Sequence, residues 1–314
     1  MSPGVNGHRP VLMREAIEGL NVRASGCYID ATFGRGGHCA AILRQLDATG
    51  RLLALDQDPE AVRVAQERFG ADPRVAVEHA SFNALEELAR RHGMSGCTDG
   101  ILFDLGVSSP QLEDAARGFS FASDGPLDMR MNPQAGVPAS EWLASVSERE
   151  LDAVLRSFGE ERYHRRIARA IVQARQDAPI RTTRQLADVV ARAVPTRERH
   201  KDPATRTFQA IRIAVNRELE ALQEGMRQAL NVLAIGGRLV VISFHSLEDR
   251  MVKRFIRAEA RGAPAELPPD FPVRELGAGG RLRALGGPVR PSVEEVEANP
   301  RARSAIMRIA ERLA

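Results

Sequence analysis

A cluster of glycines lies where a predicted strand passes into a predicted helix. Gly34, Gly36 and Gly37 follow an apolar run and precede a helical pattern. Glycines at such a turn let a ligand approach the backbone closely and leave N–H groups free to bind it. Asp56 ends the next predicted strand, where a carboxylate can accept hydrogen bonds from ribose hydroxyls. Together these residues predict a site for an adenosine-containing cofactor.

The spacing around the glycines suits two such cofactors. Gly34-x-Gly36-x-x-Cys39 nearly matches the dinucleotide fingerprint G-x-G-x-x-G/A, so NAD and S-adenosylmethionine both fit the pattern. His38 lies where a pyrophosphate would need open backbone N–H groups, and no second nucleotide-binding half follows in the chain. Both observations favour S-adenosylmethionine.

Strands and helices alternate from residue 27 to about residue 106, which predicts a parallel sheet covered by helices on both faces. Further on, an apolar stripe from Phe208 to Leu233 predicts one long helix that Gly236-Gly237 ends. A buried strand at 238–244 and a last, antiparallel strand at 304–310 complete the pattern. The first four strands are predicted at 27–32, 51–55, 74–79 and 100–105, and the helices between them at 38–46, 58–69 and 84–92.

The segment between these two halves is expected to be an inserted domain without strands. We therefore predict an α/β protein with a discontinuous Rossmann-like domain of residues 1–115 and 204–314 and an inserted helical domain of residues 116–203. Residues 262–303 are rich in Gly and Pro and are expected to form surface loops. Helices of the insert are predicted at Ser147–Phe158, Glu161–Arg175 and Thr183–Ala193.

Basic residues are concentrated in the insert. Residues 156–201 hold twelve Lys or Arg and five Asp or Glu, a net charge of +7 against +3 for the whole chain. Such a stretch on an otherwise mildly acidic chain predicts a polyanionic partner. Arg162, Arg165, Arg166 and Arg169 recur at helical spacing and predict one basic face that contacts phosphates.

The composition is that of a folded protein without a membrane anchor. Hydrophobic residues make up 43% of the 314 residues, enough for a full core. No apolar run approaches the roughly 20 residues of a membrane helix, and the N-terminus lacks a signal-peptide core, so we expect a cytoplasmic protein. Cys27, Cys39 and Cys97 form no C-x-x-C pair, so no zinc site, other metal site or disulfide framework is expected.

Several long segments of the chain resemble those of the MraW/RsmH family, in the same order and from about His8 to the C-terminus. The family consists of bacterial methyltransferases that act on the 4-amino group of a decoding-centre cytidine in 16S rRNA. The resemblance implies a class I methyltransferase sheet, S-adenosylmethionine as cofactor, and the small ribosomal subunit or a late precursor as substrate. The segments are Asp30–His38, Asp104–Gln111, Arg117–Phe121, Gly125–Met131, Thr205–Ala210 and Ser243–Arg250.

The resemblance also implies roles for individual residues, which converge at the carboxyl edge of the predicted sheet. The backbone at three positions would face the methionine part of the cofactor, one carboxylate would hold the ribose, one aromatic ring would pack on adenine, and two residues would line the methyl-transfer end. In that order they are Gly36, Gly37 and His38; Asp56; Phe82; and Asp104 and Gln111.

Residue types narrow the methylation chemistry. No Pro-Cys pair offers the nucleophile of pyrimidine carbon methylation, and two lysines, Lys201 and Lys253, make the ribose-methylating tetrad a poor fit. The Asp/Asn-Pro-Pro-aromatic turn of most amino methylases is absent after the fourth strand, so the amine acceptor depends on the resemblance. We hypothesise that Asp104 orients this amine.

Two further residues and two other functions stay open. His245 and Asp249 follow the fifth strand and could face the same pocket, although His245 suits a helix start or packing equally well. The sequence also admits a nicotinamide-dependent dehydrogenase, or a non-catalytic RNA-binding assembly factor that keeps an unused cofactor pocket. The oligomeric state is left open.

Overall fold

The computed structural model describes residues 10–195, 202–262 and 280–314. It divides into two compact units: Met1–Gly106 with Ala221–Ala314, and Val107–Glu220. The predicted insert, 116–203, lies within the second unit. The helices are α1 Met13–Leu20, α2 Gly37–Leu43, α3 Pro59–Phe69, α4 Leu85–Arg91, α5 Ser109–Glu113, α6 Ala139–Ser145, α7 Glu148–Gly159, α8 His164–Asp177, α9 Thr183–Ala193, α10 Thr205–Asn216, α11 Glu218–Val232, α12 Ser246–Arg261 and α13 Val293–Ala298.

The first unit contains a seven-stranded sheet in the order β3-β2-β1-β4-β5-β7-β6. The five strands from β3 to β5 in that order are mutually parallel, and β7 is antiparallel to both of its neighbours. The predicted α/β sheet and its antiparallel last strand are therefore confirmed. The strands are β1 Cys27–Asp30, β2 Arg51–Asp56, β3 Val75–His79, β4 Thr98–Asp104, β5 Leu233–Ser243, β6 Leu282–Ala284 and β7 Ile306–Arg312.

Successive residues of the central strands pack on opposite faces of the sheet. Leu53 of β2 and Ile101 of β4 belong to the apolar cluster on one face, whereas Leu52 and Leu102 belong to the cluster on the other. Because both faces are buried, these strands are apolar at nearly every position, which is the pattern that made them recognisable in the sequence. The sheet is thus a rigid support for the residues at its edges.

Two predictions about the later part of the chain are wrong. The long helix over 208–233 is two helices, because Arg217 adopts a left-handed conformation (φ 50°) between α10 and α11. The apolar spacing continues in phase across that residue, so the pattern does not reveal the break. Gly236 and Gly237 lie inside β5 and do not end a helix.

The predicted surface loop over 262–303 is wrong in part. β6 and α13 lie within it, and β6 is a three-residue strand held by pairing with β7. A strand that short has too few residues to show alternation in the sequence. Residues 263–279 of this segment lie outside the described residues.

The second unit is helical, and its described residues contain no strand. Its core forms between α7, α8, α9 and α10 around fully buried Leu151, Leu155, Ile167, Ile171 and Leu186. The predicted helix over Thr183–Ala193 matches α9 in its bounds, and the one predicted over Ser147–Phe158 is α7, shifted by one residue. Of the helices in the described residues of the whole chain, none has the length and hydropathy needed to cross a membrane.

Candidate active site

The order of the sheet places a crevice at the carboxyl ends of β1 and β4. Strand order reverses at this point, with β2 and β3 on one side and β5 on the other. Ligands of open parallel sheets bind at such a switch point. Each of three adjacent strands ends in an aspartate there: Asp30 on β1, Asp56 on β2 and Asp104 on β4.

The glycine turn between β1 and α2 bends sharply beside these aspartates. Gly34 and Gly36 both have positive φ, 55° and 73°, and Gly36 N–H donates to the carbonyl of Phe33 at 2.7 Å. A Cβ on Gly36 would lie 2.4 Å from the buried ring of Phe33, whereas a Cβ on Gly34 would meet nothing closer than 3.9 Å. Gly36 is therefore required for the turn, and Gly34 borders open space.

Asp56 connects the glycine turn to the end of β2. One carboxylate oxygen accepts a hydrogen bond from Gly34 N–H and the other from Asp58 N–H, both at 2.8 Å. Burial raises the pKa of Asp56 to about 6 against the lowering effect of these two hydrogen bonds. Each oxygen keeps a further lone pair, so the group can still accept from ribose hydroxyls. Asp58, not Asp56, caps α3, as the sequence suggested.

The raised pKa of Asp56 predicts a pH-dependent stability. The unfolded carboxyl loses its proton near pH 3.8, but the folded one holds it to about pH 6, so stability falls as pH rises through this window. We expect the Asp56→Asn chain to lack this component. The difference in unfolding free energy between the two chains, measured by urea titration, should change by up to about 3 kcal/mol between pH 4 and pH 7. A constant difference would contradict the assignment.

Asp104 presents an unused acceptor at the end of β4. Its backbone N–H donates to Thr32 Oγ1 at 2.6 Å, which ties β4 to the residues after β1. Among the described residues its buried Oδ1 has no hydrogen-bond partner, and Oδ2 lies 3.5 Å from Nε2 of His38. The carboxylate can therefore accept a hydrogen bond from an incoming N–H group.

Two side chains beside Asp104 were not predicted as functional. The sequence assigned only the backbone of His38, but its imidazole is 5% exposed and faces Asp104. Asp30 is fully buried and acts electrostatically on His38. An aspartate as the last residue of the predicted first strand was the available signal for Asp30, since the same position drew attention to Asp56.

Phe82 lies in a short 3₁₀ turn after β3 and is partly buried. Its ring packs edge to face on Phe103 at 5.4 Å between centroids, and Gly225 of α11 approaches it closely enough that a Cβ would lie 2.9 Å away. The structure thus gives Phe82 a packing role on one side of the ring. Its contact with adenine stays a prediction.

Gln111 and His245 both act as helix-capping residues. In the second unit, buried Gln111 accepts from Ser108 N–H at 2.8 Å in the capping box of α5. In the first unit, His245 is the N-cap of α12, and Glu248 accepts from Phe244 N–H at 2.8 Å. The helix-start interpretation of His245 is confirmed, whereas the catalytic role of His245 and the cofactor role of Gln111 stay predictions.

Asp249 does not have a free carboxylate. It accepts two hydrogen bonds from the guanidinium of Arg308, at 2.7 and 3.0 Å, and so joins α12 to β7. Such bidentate pairing is strong and geometrically specific. The hypothesis that Asp249 contributes chemistry therefore has less support than the one for Asp104.

Comparison with known proteins links these features to one family. A model described as the MraW methylase family matches residues 6–313. The chain is 56% identical to "Ribosomal RNA small subunit methyltransferase H" of Thioalkalivibrio sulfidiphilus over 308 residues, which cover 98% of each chain. Proteins of the same name from Hydrogenovibrio crunogenus and Nitrosococcus oceani are 54% and 55% identical over 99% and 98% of this chain and 98% of each of theirs.

Proposed function

The chain belongs to the MraW methylase family, and on that premise we propose that it transfers a methyl group from S-adenosylmethionine to the ribosomal RNA of the small subunit. The named relatives are small-subunit rRNA methyltransferases over nearly their full length. We further propose that the acceptor is the 4-amino group of a decoding-centre cytidine in 16S rRNA. The reaction would take place in the cytoplasm, on the subunit or a late precursor.

The crevice at the switch point suits this cofactor. S-Adenosylmethionine, when bound, supplies an electrophilic methyl group on a positively charged sulfonium. The buried, unpartnered oxygens of Asp30 and Asp104 and the partly engaged carboxylate of Asp56 offer the negative charge that a sulfonium requires. This concentration of carboxylates beside the glycine turn is the observation on which the proposal most depends.

Individual roles follow from the positions of these residues. The backbone at Gly36, Gly37 and His38 would hold the methionine part, and Asp56 would accept from the ribose hydroxyls. The exposed part of the Phe82 ring would pack on the adenine. Asp104 would lie at the methyl-transfer end, and Gln111 is proposed for the same end.

An amine acceptor requires a hydrogen-bond acceptor. The lone pair of a cytosine 4-amino group is delocalised into the ring, so the amine is a poor nucleophile. An oxygen that accepts from its N–H localises the lone pair and aligns the nitrogen with the methyl group. Oδ1 of Asp104 is buried and unpartnered among the described residues, which suits it for this role.

Methyl incorporation into small subunits tests the proposed function. Subunits from a strain lacking the enzyme would be incubated with the purified chain and methyl-labelled S-adenosylmethionine. We expect close to one methyl group per subunit on a cytidine amine, and none on subunits from the parent strain, which already carry it. Binding of the cofactor without incorporation would favour the assembly factor. Calorimetric binding of a nicotinamide cofactor in its place would favour the dehydrogenase.

An exposed arginine face on the second unit supports RNA as the partner. Arg165, Arg166 and Arg169 lie on α8 at spacings that share one face, and all three are exposed. Arg162 lies before the helix, which begins at His164 and not at the predicted Glu161, and its guanidinium is 5.5 Å from the ring of Tyr163. Arg197, Arg199 and Lys201 of the basic stretch lie outside the described residues.

Removal of the α8 arginines is expected to weaken RNA binding through its salt dependence. With Arg165, Arg166 and Arg169 all changed to Gln, the slope of log affinity against log salt should decrease by roughly 2, since each lost phosphate contact contributes about 0.7. The rate at saturating substrate should change little. Changing Arg14, Arg63 and Arg227 to Gln removes the same charge from ion-paired, exposed sites of the first unit and serves as the control. Equal slopes for the two triple variants would contradict RNA contact at α8.

A further inference from the structure

Buried polar atoms without hydrogen-bond partners are concentrated between β1, α2 and β4. Seven such side-chain atoms occur among the described residues, and four of them belong to three neighbouring groups. They are Oδ2 of Asp30, Nδ1 and Nε2 of His38, and Oδ1 of Asp104. Buried polar atoms are normally paired, so a cluster of unpaired ones marks a place where the fold serves a function other than stability.

The glycine turn brings His38 to the two aspartates. β1 and β4 are adjacent and parallel, with Asp30 opposite Leu102, so Asp104 lies two residues beyond that pair. α2 begins directly after the turn and presents His38 from its second position. Nε2 of His38 lies 3.5 Å from Oδ2 of Asp104, which is ion-pair distance without hydrogen-bond geometry.

The charges around His38 favour its protonated form. Burial alone would lower the pKa of His38, but the hydrogen-bonding capacity and charge of Asp104, together with the charge of Asp30, outweigh it and raise that pKa. Burial raises the pKa of Asp30, against the charge of His38 and hydrogen bonds from Cys39 and Thr32. Asp30 in turn acts on Asp56, so these four ionisable groups and the Cys39 thiol form the charged surroundings of the imidazole.

We propose that His38 is a positioning residue, an imidazolium held between Asp30 and Asp104 that fixes the Asp104 carboxylate for the acceptor amine. This inference rests on the proposed function and goes beyond it, since the family assignment gave His38 only a backbone role. The Nε2–H of the imidazolium engages Oδ2 of Asp104 and leaves Oδ1 to accept from the amine. His38 keeps its proton throughout, so no proton is exchanged with the substrate.

Titration of His38 tests the ionic part of the proposal without any methyl transfer. The full chain, labelled at histidine Cε1, would be titrated by NMR, and the His38 signal is the one that disappears in His38→Gln. We expect His38 to titrate above the ordinary histidine pKa of about 6.5, and Asp104→Asn to lower that midpoint by roughly one pH unit or more. Asp30→Asn should lower it as well. A midpoint at or below the ordinary value, or one that Asp104→Asn leaves unchanged, overturns the proposal even if the enzyme is active.

Single-turnover kinetics at saturating cofactor test the positioning part. The wild-type rate should decline at high pH with the midpoint found by NMR, because loss of the proton releases Asp104. His38→Gln keeps a neutral donor near the position of Nε2 but cannot carry charge. It should remove the high-pH decline and lower the rate by up to about 100-fold, while cofactor affinity changes by less. Asp30→Asn should move the decline to lower pH.

Two controls separate positioning from simple structural damage. His92→Gln breaks another histidine–carboxylate pair, with Glu78 at 2.8 Å, and should leave the rate and its pH profile unchanged. Thermal unfolding of each variant checks that it is folded, and Asp30→Asn supplies an independent test if His38→Gln is not. A folded His38→Gln chain with the wild-type rate and pH profile would overturn the proposal. So would one whose cofactor affinity falls as much as its rate.

Discussion

Replacing Asp104 by Asn is expected to slow single-turnover methyl transfer by about 100-fold or more at saturating cofactor. The asparagine side chain has nearly the same shape, but its amide carries one neutral acceptor and a donor where the carboxylate has two acceptor oxygens. It therefore orients the amine poorly and attracts the His38 imidazolium less strongly. The measurement is rapid-quench methyl incorporation into subunits that lack the modification, with cofactor affinity determined separately by calorimetry.

A control for this variant is available at the other end of the same strand. Asp99 lies near the start of β4, where it accepts from Cys27 N–H at 2.9 Å and pairs with Arg23. We expect Asp99→Asn to lower stability and to leave the rate with bound cofactor unchanged. If Asp104→Asn transfers the methyl group at the wild-type rate once the cofactor is bound, Asp104 does not orient the amine.

Replacing Gly36 by Ala is expected to disable cofactor binding and to lower stability together. The left-handed backbone at this residue costs an alanine roughly 1–2 kcal/mol, and its methyl group would meet the Phe33 ring at 2.4 Å. Phe33 is buried and packs edge to face on Phe69, so the ring cannot move aside without disturbing that contact. We expect a loss of about 3 kcal/mol in unfolding free energy and at least a tenfold weaker cofactor affinity.

Gly93 provides the matched control for Gly36. It also has positive φ, 64°, but a Cβ there would meet no atom within 4 Å. Gly93→Ala should therefore show the backbone cost alone, with cofactor affinity unchanged. Urea unfolding and calorimetry on both variants make the comparison. Equal stability losses, or intact cofactor binding in Gly36→Ala, would contradict the role assigned to the turn.

Much of the fold was predictable because its signals are local. Doubly buried strands are apolar at nearly every position, so β1 to β5 were recognised from composition alone, although several bounds shifted by one or more residues. The break at Arg217 was missed because the apolar stripe keeps its phase through the left-handed residue. β6 was missed because its three residues are a strand only through pairing with β7.

For the candidate site, local signals identified positions but not partners. The glycine turn, Asp56 and Asp104 were found because they follow strands. That Asp56 accepts from Gly34 N–H, that His245 caps α12, and that Asp249 pairs with Arg308 depends on residues far away along the chain. Side-chain partners of this kind leave no periodic pattern.

The sequence by itself determined the α/β class, the family and the strand ends at which chemistry is expected, because apolar periodicity, glycine positions and long motifs are properties of contiguous residues. Only the tertiary structure decided that Asp30, His38 and Asp104 form one buried charged group. Their encounter requires β1 and β4, about seventy residues apart along the chain, to become neighbours in the sheet. Burial and distance set their charges, and neither exists before the chain folds.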